Sequence, residues 1–344
     1  MKESHSSATS YEVTVGSASF EQPENDGLEM LVVEDHVDMV DLFTMRVGGA
    51  EGQPTWGFSV GDTVEAKVGQ GTSTIFRGEV TALEPAFQVD GGAKMVIRSL
   101  DHMHRLGRGR KTRFWEDMKD SDVVSEVGAE CGLSVSADAT DETLPYILQR
   151  NESNVAFLKR LAARNNFLLR VEGESLVFKK VSFEGSSVDI GMGDKLRSLR
   201  FTLNSVDQVQ QVIVRGWDIT KKEAIVGKAT CDEITSIGGG KIGASVVTSA
   251  FSESTAYVTD VPVSSQGLAN LIAKSEIERL CRQFCRGTCV IKGNDLVRAG
   301  TMVSFSGLPT DYNGSFYVVS SRHIVSQRTG YSTEFKFCSN TYGT

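Results

Sequence analysis

This 344-residue chain lacks most of the features that quickly assign a protein to a class. No apolar run approaches the ~18–20 residues that a membrane-crossing helix needs. Met1 to Ser10 is polar, without the hydrophobic core of a secretion signal, so synthesis in the cytosol is expected. The six cysteines, Cys131, Cys231, Cys281, Cys285, Cys289 and Cys338, are too sparse and irregular for a disulfide framework, and buried free thiols are the expectation. A basic excess is also missing: 36 Lys and Arg stand against 44 Asp and Glu, a net charge of −8. That balance disfavours nucleic-acid binding through a broad basic face. Prolines number only six against 34 glycines, which suits a β-rich chain whose turns use left-handed backbone. Phosphate loops, HExxH and Ser-His-Asp patterns are absent as well, so no cofactor, metal or catalytic residue is expected.

What is present is ordinary globular composition, 40% hydrophobic and 23% charged, and a strand pattern written twice. The first copy runs from Val60-Gly61-Asp62 through Ile75-Phe76-Arg77-Gly78 to Gly91-Gly92-Ala93 and Arg98. The second runs from Ala299-Gly300-Thr301 through Tyr312-Asn313-Gly314-Ser315 to Thr329-Gly330-Tyr331 and Phe335. Matching the glycines pairs Gly61 with Gly300, Gly78 with Gly314 and Gly92 with Gly330. Such a chain is expected to build one small sheet twice.

The expected fold is mainly β with an α+β insert. Residues 1–10 read as a flexible arm and 11–106 as a first β-barrel, with alternation at Tyr11–Val15 and Phe43–Val47. Within 107–195, Asp120 or Ser121 caps a short helix with Val123, Val127 and Cys131 on one face and Gly132 as its stop. A second helix begins near Asn151–Ser153, buries Val155, Leu158, Leu161 and Ala162, and ends at Asn165-Asn166. A hairpin follows across Glu172-Gly173-Glu174. Residues 196–344 read as a second barrel with one helix over 265–286, stopped by Gly287, and a glycine-rich loop at 236–245.

Residues 144–178 resemble a recurring segment of contractile-tail baseplate hubs: the phage late control gene D proteins, the T-even central hub and the amino-terminal region of VgrG proteins. The matching positions are Tyr146, Gln149, Glu152, Ser153, Phe157, Leu158, Arg160, Leu161 and Ala162, with Asn154 and Asn165-Asn166 departing from the pattern. Further matches are Val214-Arg215-Gly216-Trp217-Asp218 and the closing run through Gly300, Gly314, Tyr317, His323, Gly330 and Tyr331. The resemblance implies two tail-tube-like barrels per chain, flanking a small α+β domain. It also implies a homotrimer that adapts a hexameric tail tube to a trimeric spike, with other baseplate proteins around it. DNA or cargo would cross the channel without specific binding. The chain ends soon after the second barrel, so the spike is expected to be a separate polypeptide. Assembly is expected in the bacterial cytoplasm, into a virion tail or contractile particle.

Several residues invite sharper readings. Cys281 and Cys285 lie at helical i, i+4 spacing near Cys289, yet without a CxxC pair or fourth ligand they read as core thiols. His102 and His104, with Asp101, read as a strand-end pair rather than a metal or base site. His323 occupies a position where hubs often carry histidine, with a structural hydrogen bond as its expected role. Arg105 to Arg113 holds five basic residues and reads as a linker or an intersubunit ion-pair strip. Glu152 and Glu142 could be offered as a glycosidase pair in a peptidoglycan-acting or glycan-binding tail protein, the alternative reading. Glu152 fits the start of its helix better, where a carboxylate favours the dipole.

Overall fold

The computed structural model describes residues 10–21, 27–48, 56–69, 73–88, 92–193 and 195–342. Of the expected arm, only Ser10 lies within the described residues; it pairs with Gly69. The chain is mainly β. Its first strands are β1 (Tyr11–Val15), β2 (Ala18–Glu21), β3 (Leu28–His36), β4 (Leu42–Gly48), β5 (Thr63–Val68), β6 (Thr74–Gln88) and β7 (Gly92–Leu100). Alternation sends Phe43, Met45 and Val47 inward from β4, opposite Leu31 and Val33 of β3, so this half curls over an apolar core that Val325 and Tyr331 also enter.

The middle of the chain holds β8 (Lys111–Trp115), β9 (Met118–Lys119), α1 (Asp120–Glu130), β10 (Ser134–Ala137), β11 (Thr143–Leu144), β12 (Ile147–Glu152), α2 (Asn154–Asn165), β13 (Phe167–Glu172) and β14 (Ser175–Lys180). Next come β15 (Ser187–Gly191), β16 (Leu196–Leu203), β17 (Gln211–Asp218), β18 (Glu223–Thr230), β19 (Lys241–Ile242), α3 (Gly243–Phe251), β20 (Thr255–Val258) and α4 (Gln266–Cys281). The last strands are β21 (Cys285–Lys292), β22 (Met302–Ser306), β23 (Gly314–Ser326), β24 (Gly330–Ser339) and β25 (Thr341–Tyr342).

The two expected β blocks meet in a single 13-stranded sheet, joined where β23 pairs antiparallel with β3. Within it the spatial order β3-β4-β7-β6-β5 is repeated as β16-β21-β24-β23-β22, and each set gains a sixth strand of opposite sense, β1 antiparallel to β5 but β15 parallel to β22. Registers repeat as well. Each pair between β6 and β7, from Glu79 with Leu100 to Gln88 with Gly92, recurs 238 residues later between β23 and β24. The bulge after Val80 has its twin after Val318, and the bulge between Leu28 and Met30 has its twin between Leu196 and Ser198. Gly61 N–H donates to Val80 O at 2.8 Å, and Gly300 N–H to Val318 O at 2.8 Å. Both glycines have left-handed backbone, as do Gly92 and Gly330 at the start of β7 and β24.

One of the three glycine pairings fails. Register sets Gly78 against Phe316, and Gly314 against Phe76. Glycine and phenylalanine have exchanged places two residues apart; a Cβ on Gly78 would lie 2.2 Å from Leu100 O and 2.7 Å from the Phe76 ring. The repeat also holds an interruption. Where the first half connects β3 to β4 through residues 37–41, the second inserts 204–284 between β16 and β21. That insertion builds the sheet β18-β17-β20, covered by α4, and its core is continuous with that of residues 103–178.

Local expectations were met unevenly. Ser153 caps α2 through a hydrogen bond from Ala156 N–H, Asn166 ends it in the left-handed conformation, and β13 and β14 form the hairpin. Asp120 is the first residue of α1 rather than its cap. It is buried, and its carboxylate takes hydrogen bonds from Arg164 and Asn165, which ties α1 to α2. The long helix stops at Cys281, and Gly287 lies in β21, where the Phe337 ring occupies the space a Cβ would need. Residues 236–245 hold β19 and the start of α3, with Gly238 packed against Ser315 O.

Candidate functional site

The hub-like segment is organised around the start of α2. Gln149 on β12 is fully buried; it accepts from Arg113 Nε at 2.8 Å and donates to Glu152 O and Asn154 Oδ1, both at 3.0 Å. Phe157 stacks flat on Trp115 at 5.2 Å, and Leu158 and Leu161 are fully buried beside it. Arg160 donates to Leu148 O and to Glu152, with its guanidinium 5.3 Å over the Phe157 ring. Tyr146 is exposed and stacks on exposed Phe114 at 5.4 Å. The side chains of Gln149, Phe157, Leu158, Arg160 and Leu161 fix the position of α2.

The candidate carboxylate pair is not brought together by shared partners. Glu152 is held by Arg160, while Glu142 accepts from Ser265 Oγ at the start of α4. His102 and His104 lie in a 3-10 turn over 102–107, not on a strand. They converge on Glu79, His104 Nε2 at 2.9 Å and His102 Nε2 at 3.8 Å, and Arg105 completes the cluster. The hydrogen bond from Arg105, helped by His104, outweighs burial and holds the Glu79 carboxyl down at about 2. Of the basic run, Lys111 and Arg113 pair with Glu130. Cys281, Cys285 and Cys289 are buried free thiols in the core, and desolvation pushes each up to about 12. Among the described residues no group of three or more His, Cys, Asp or Glu side chains could hold a metal ion. No helix among them is long and apolar enough to cross a membrane.

His323 sits at the junction of the two halves. Its Nε2 meets Ser321 Oγ at 3.0 Å and its Nδ1 meets Tyr331 OH at 2.8 Å. Asp35 of β3 accepts from Ser321 N–H and Oγ, from Ala299 N–H and from Arg298. Burial opposes ionisation of Asp35, but Arg298, Ser321 and His323 outweigh it and keep its pKa below the usual range. Burial lowers His323 to about 4, so it is neutral at pH 7. Asp35 bonds the serine and not the imidazole, which is the wrong connectivity for a nucleophilic triad. The network is a buried fastener. Next to it, burial and the neighbouring Asp101 and Asp35 carboxyls raise Asp41 to about 8. Sequence reading missed Asp35 and Ser321 because 286 residues separate them; the only local signal was Ser321 and His323 alternating on one strand face.

Two surfaces are also new. A cavity of about 840 Å³ between α2, α4 and the sheet gathers Lys159, Arg200, Arg279, Arg282, Arg286 and Lys336 over Tyr317 and Phe337. Its bases come from five separate stretches of an acidic chain, so no local run announced it. Glycine at 216 lets Val263 close over β17. Trp217 on β17 is more than half exposed, as is Tyr257 on β20, with Arg215 over the Tyr257 ring at 5.0 Å.

The sequence model of one protein family, the Alg8 N-terminal domain, matches residues 56–327, more than three quarters of the chain. The chain belongs to that family. Its name designates a domain and no reaction. No curated protein matches the sequence. Solved structures supply the fold. The 43 kDa tail protein of prophage MuSo2 from Shewanella oneidensis aligns with a TM-score of 0.71 at 13% identity, covering 96% of this chain and 98% of that one. The tail protein from Neisseria meningitidis MC58 aligns with a TM-score of 0.71 at 12% identity, covering 96% of each chain. The Escherichia coli c3393 protein aligns with a TM-score of 0.66 at 9% identity, covering 96% of this chain and 78% of that one. That protein is described as a component of the type VI secretion system with structural similarity to the T4 tail proteins gp27 and gp5. This member of the Alg8 N-terminal domain family therefore has the fold of these tail proteins over 96% of its length.

Proposed function

We propose that this chain is the structural hub of a contractile-machine baseplate, in a phage tail, tailocin or related system, and that it works without catalysis. Residues 11–106 and 196–344 serve as two tube-like barrels that meet edge to edge where β23 pairs with β3, and 107–195 as the α+β insert between them in the chain. Three copies form a homotrimer that offers six tube-like units to a hexameric tail tube and a three-fold face to a separate spike protein. Other baseplate proteins dock around it. The hub is assembled in the bacterial cytoplasm and ends in the tail particle, where an acidic channel wall would let DNA or cargo pass without binding.

The observation that carries this reading is the doubled five-strand unit, with equal order, bulges and turn glycines, inside a fold shared with tail proteins. A chain that repeats its own sheet can present two equivalent units per copy, which is what a three-fold to six-fold adaptor requires. The separate engagement of Glu152 and Glu142 weighs against the peptidoglycan-acting alternative. Co-expression with the neighbouring tube and spike genes, followed by light scattering, tests the hub. The expected particle contains three 37.3 kDa chains. A chain that stays monomeric with both partners present overturns the reading, and turbidity loss on purified cell walls, abolished by Glu152→Gln, would install the alternative.

A further inference from the structure

The repeated registers make it possible to read an intermolecular contact from an intramolecular one. At the junction, the distal half of β23 (Ser320–Ser326) uses the edge facing away from β24 to pair with β3, from Ser320 with His36 to Ser326 with Met30. The counterpart of that half-strand is Ala82–Gln88 of β6, and the counterpart of β3 is β16. Among the described residues, neither counterpart has a partner on the corresponding edge: β6 pairs only with β5 and β7, and β16 only with β21. Each chain thus carries one filled junction and both halves of an empty one.

We infer that β16 of one copy pairs antiparallel with the distal half of β6 of a second copy, in the register of the internal junction. This deepens the hub reading and rests on it. Register transfer sets Leu83 opposite Leu203, Pro85 opposite Phe201 and Phe87 opposite Leu199 on the core face. On the outer face Glu84 meets Thr202 and Ala86 meets Arg200. All six core-face residues are apolar, where the filled junction has Asp35, Ser321 and His323 among its six. In a lone chain part of this surface is exposed: Phe87 is 73% exposed, its ring 6.5 Å from that of Trp56, and Leu203 is 39% exposed, while Leu83, Leu199 and Phe201 pack half-buried on the cores of their own halves. A second copy would cover it. Glu84, now paired with exposed Arg98, would lie diagonally across from Arg200, within reach of long side chains. Pro85 contributes no N–H, which costs one ladder bond and discourages strands of other sequence from adding to this edge. The contact is head-to-tail, so repetition generates a ring where the rotation closes, as the three-fold hub requires, and an open filament otherwise, never an isologous dimer.

The test is a double variant, Ala86→Cys with Arg200→Cys, in the full chain co-expressed with tube and spike. Both positions are exposed, and all native cysteines except partly buried Cys131 are buried. Oxidation is expected to give a covalent ladder ending at the closed ring on a non-reducing gel, with neither single variant doing so. A second variant, Leu203→Glu, places a charge opposite Leu83 and is expected to weaken assembly about tenfold or more with the circular dichroism unchanged. A trimer that forms without this cross-link, or that tolerates Leu203→Glu, overturns the strand-pairing inference and leaves the hub reading standing. A chain monomeric beside its partners overturns both.

Discussion

The two halves of the sheet follow one plan and spend their polar residues differently. Between them, inside one chain, the junction is built on a buried carboxylate, a serine and a neutral histidine. At the two open edges the corresponding positions hold Leu203, Leu83 and Pro85. Buried polar groups demand partners at fixed geometry, so they suit a contact formed once and never exchanged. Apolar edges tolerate small adjustments and suit a contact made between separate molecules. A second contrast lies in the tips. The first half turns from β3 to β4 through five residues, while the second carries a helix-covered sheet at the same place without disturbing a single ladder register. A hairpin tip accepts such an insertion because the pairs that hold the hairpin lie below it.

The comparison can be broken most severely at Asp35. Replacing it with alanine strands Arg298 and the Ser321 hydroxyl in a buried site, and a loss of about 3–5 kcal/mol is expected in denaturant unfolding. A loss under about 1 kcal/mol would mean that the fastener is ornamental. The neighbouring Asp41 tests the same acidic corner by pH. Its folded pKa, about 8, lies above the unfolded value near 3.8, so it favours folding at low pH and that contribution is lost as pH rises through 8. Asp41→Asn should therefore raise the melting temperature more at pH 8 than at pH 5; an equal shift at both would refute the assignment. The smallest effect is the finest probe of the repeat. Gly92→Ala and Gly330→Ala, at φ +72° and +70° with nothing within 4 Å of either added Cβ, should each cost about 1 kcal/mol, equal to within the error of measurement. Unequal costs would show that the two turns are alike only in outline.

Legibility of the sequence followed the range of the interactions involved. The α2 stripe, its Ser153 cap and its Asn166 terminator were visible because each is settled within a few residues. Gly61, Gly92, Gly300 and Gly330 marked the repeat because each supplies backbone that other residues rarely adopt. Gly78 and Gly314 misled because they answer different demands at positions the register does not match. Gly78 makes room for Leu100 O and the Phe76 ring, whereas Gly314 supplies a positive φ of +130° and has only Gly238 O at 3.5 Å from an added Cβ. The bulges that fix the register leave no mark in composition. The 3-10 turn at 102–107 was missed because its histidines alternate as a strand would, and the end of α4 was placed late because the apolar spacing of Cys281 and Phe284 runs on into β21. The Asp35 network, the basic cavity and the shared core of 103–178 with 209–281 join segments distant in the chain, which local pattern does not encode.

The pairing of β23 with β3 also sets an order of events during synthesis. Strand β3 is complete once His36 has been made, but its partner is not complete until Ser326. At about 5–20 residues per second, the ribosome takes roughly 15–60 s to cover that distance. Throughout that interval the early half of the protein holds an unpaired, largely apolar edge, with the fold unable to close. Nascent chains on neighbouring ribosomes present the same edge at the same stage, so the yield of folded protein should depend on how densely one message is translated.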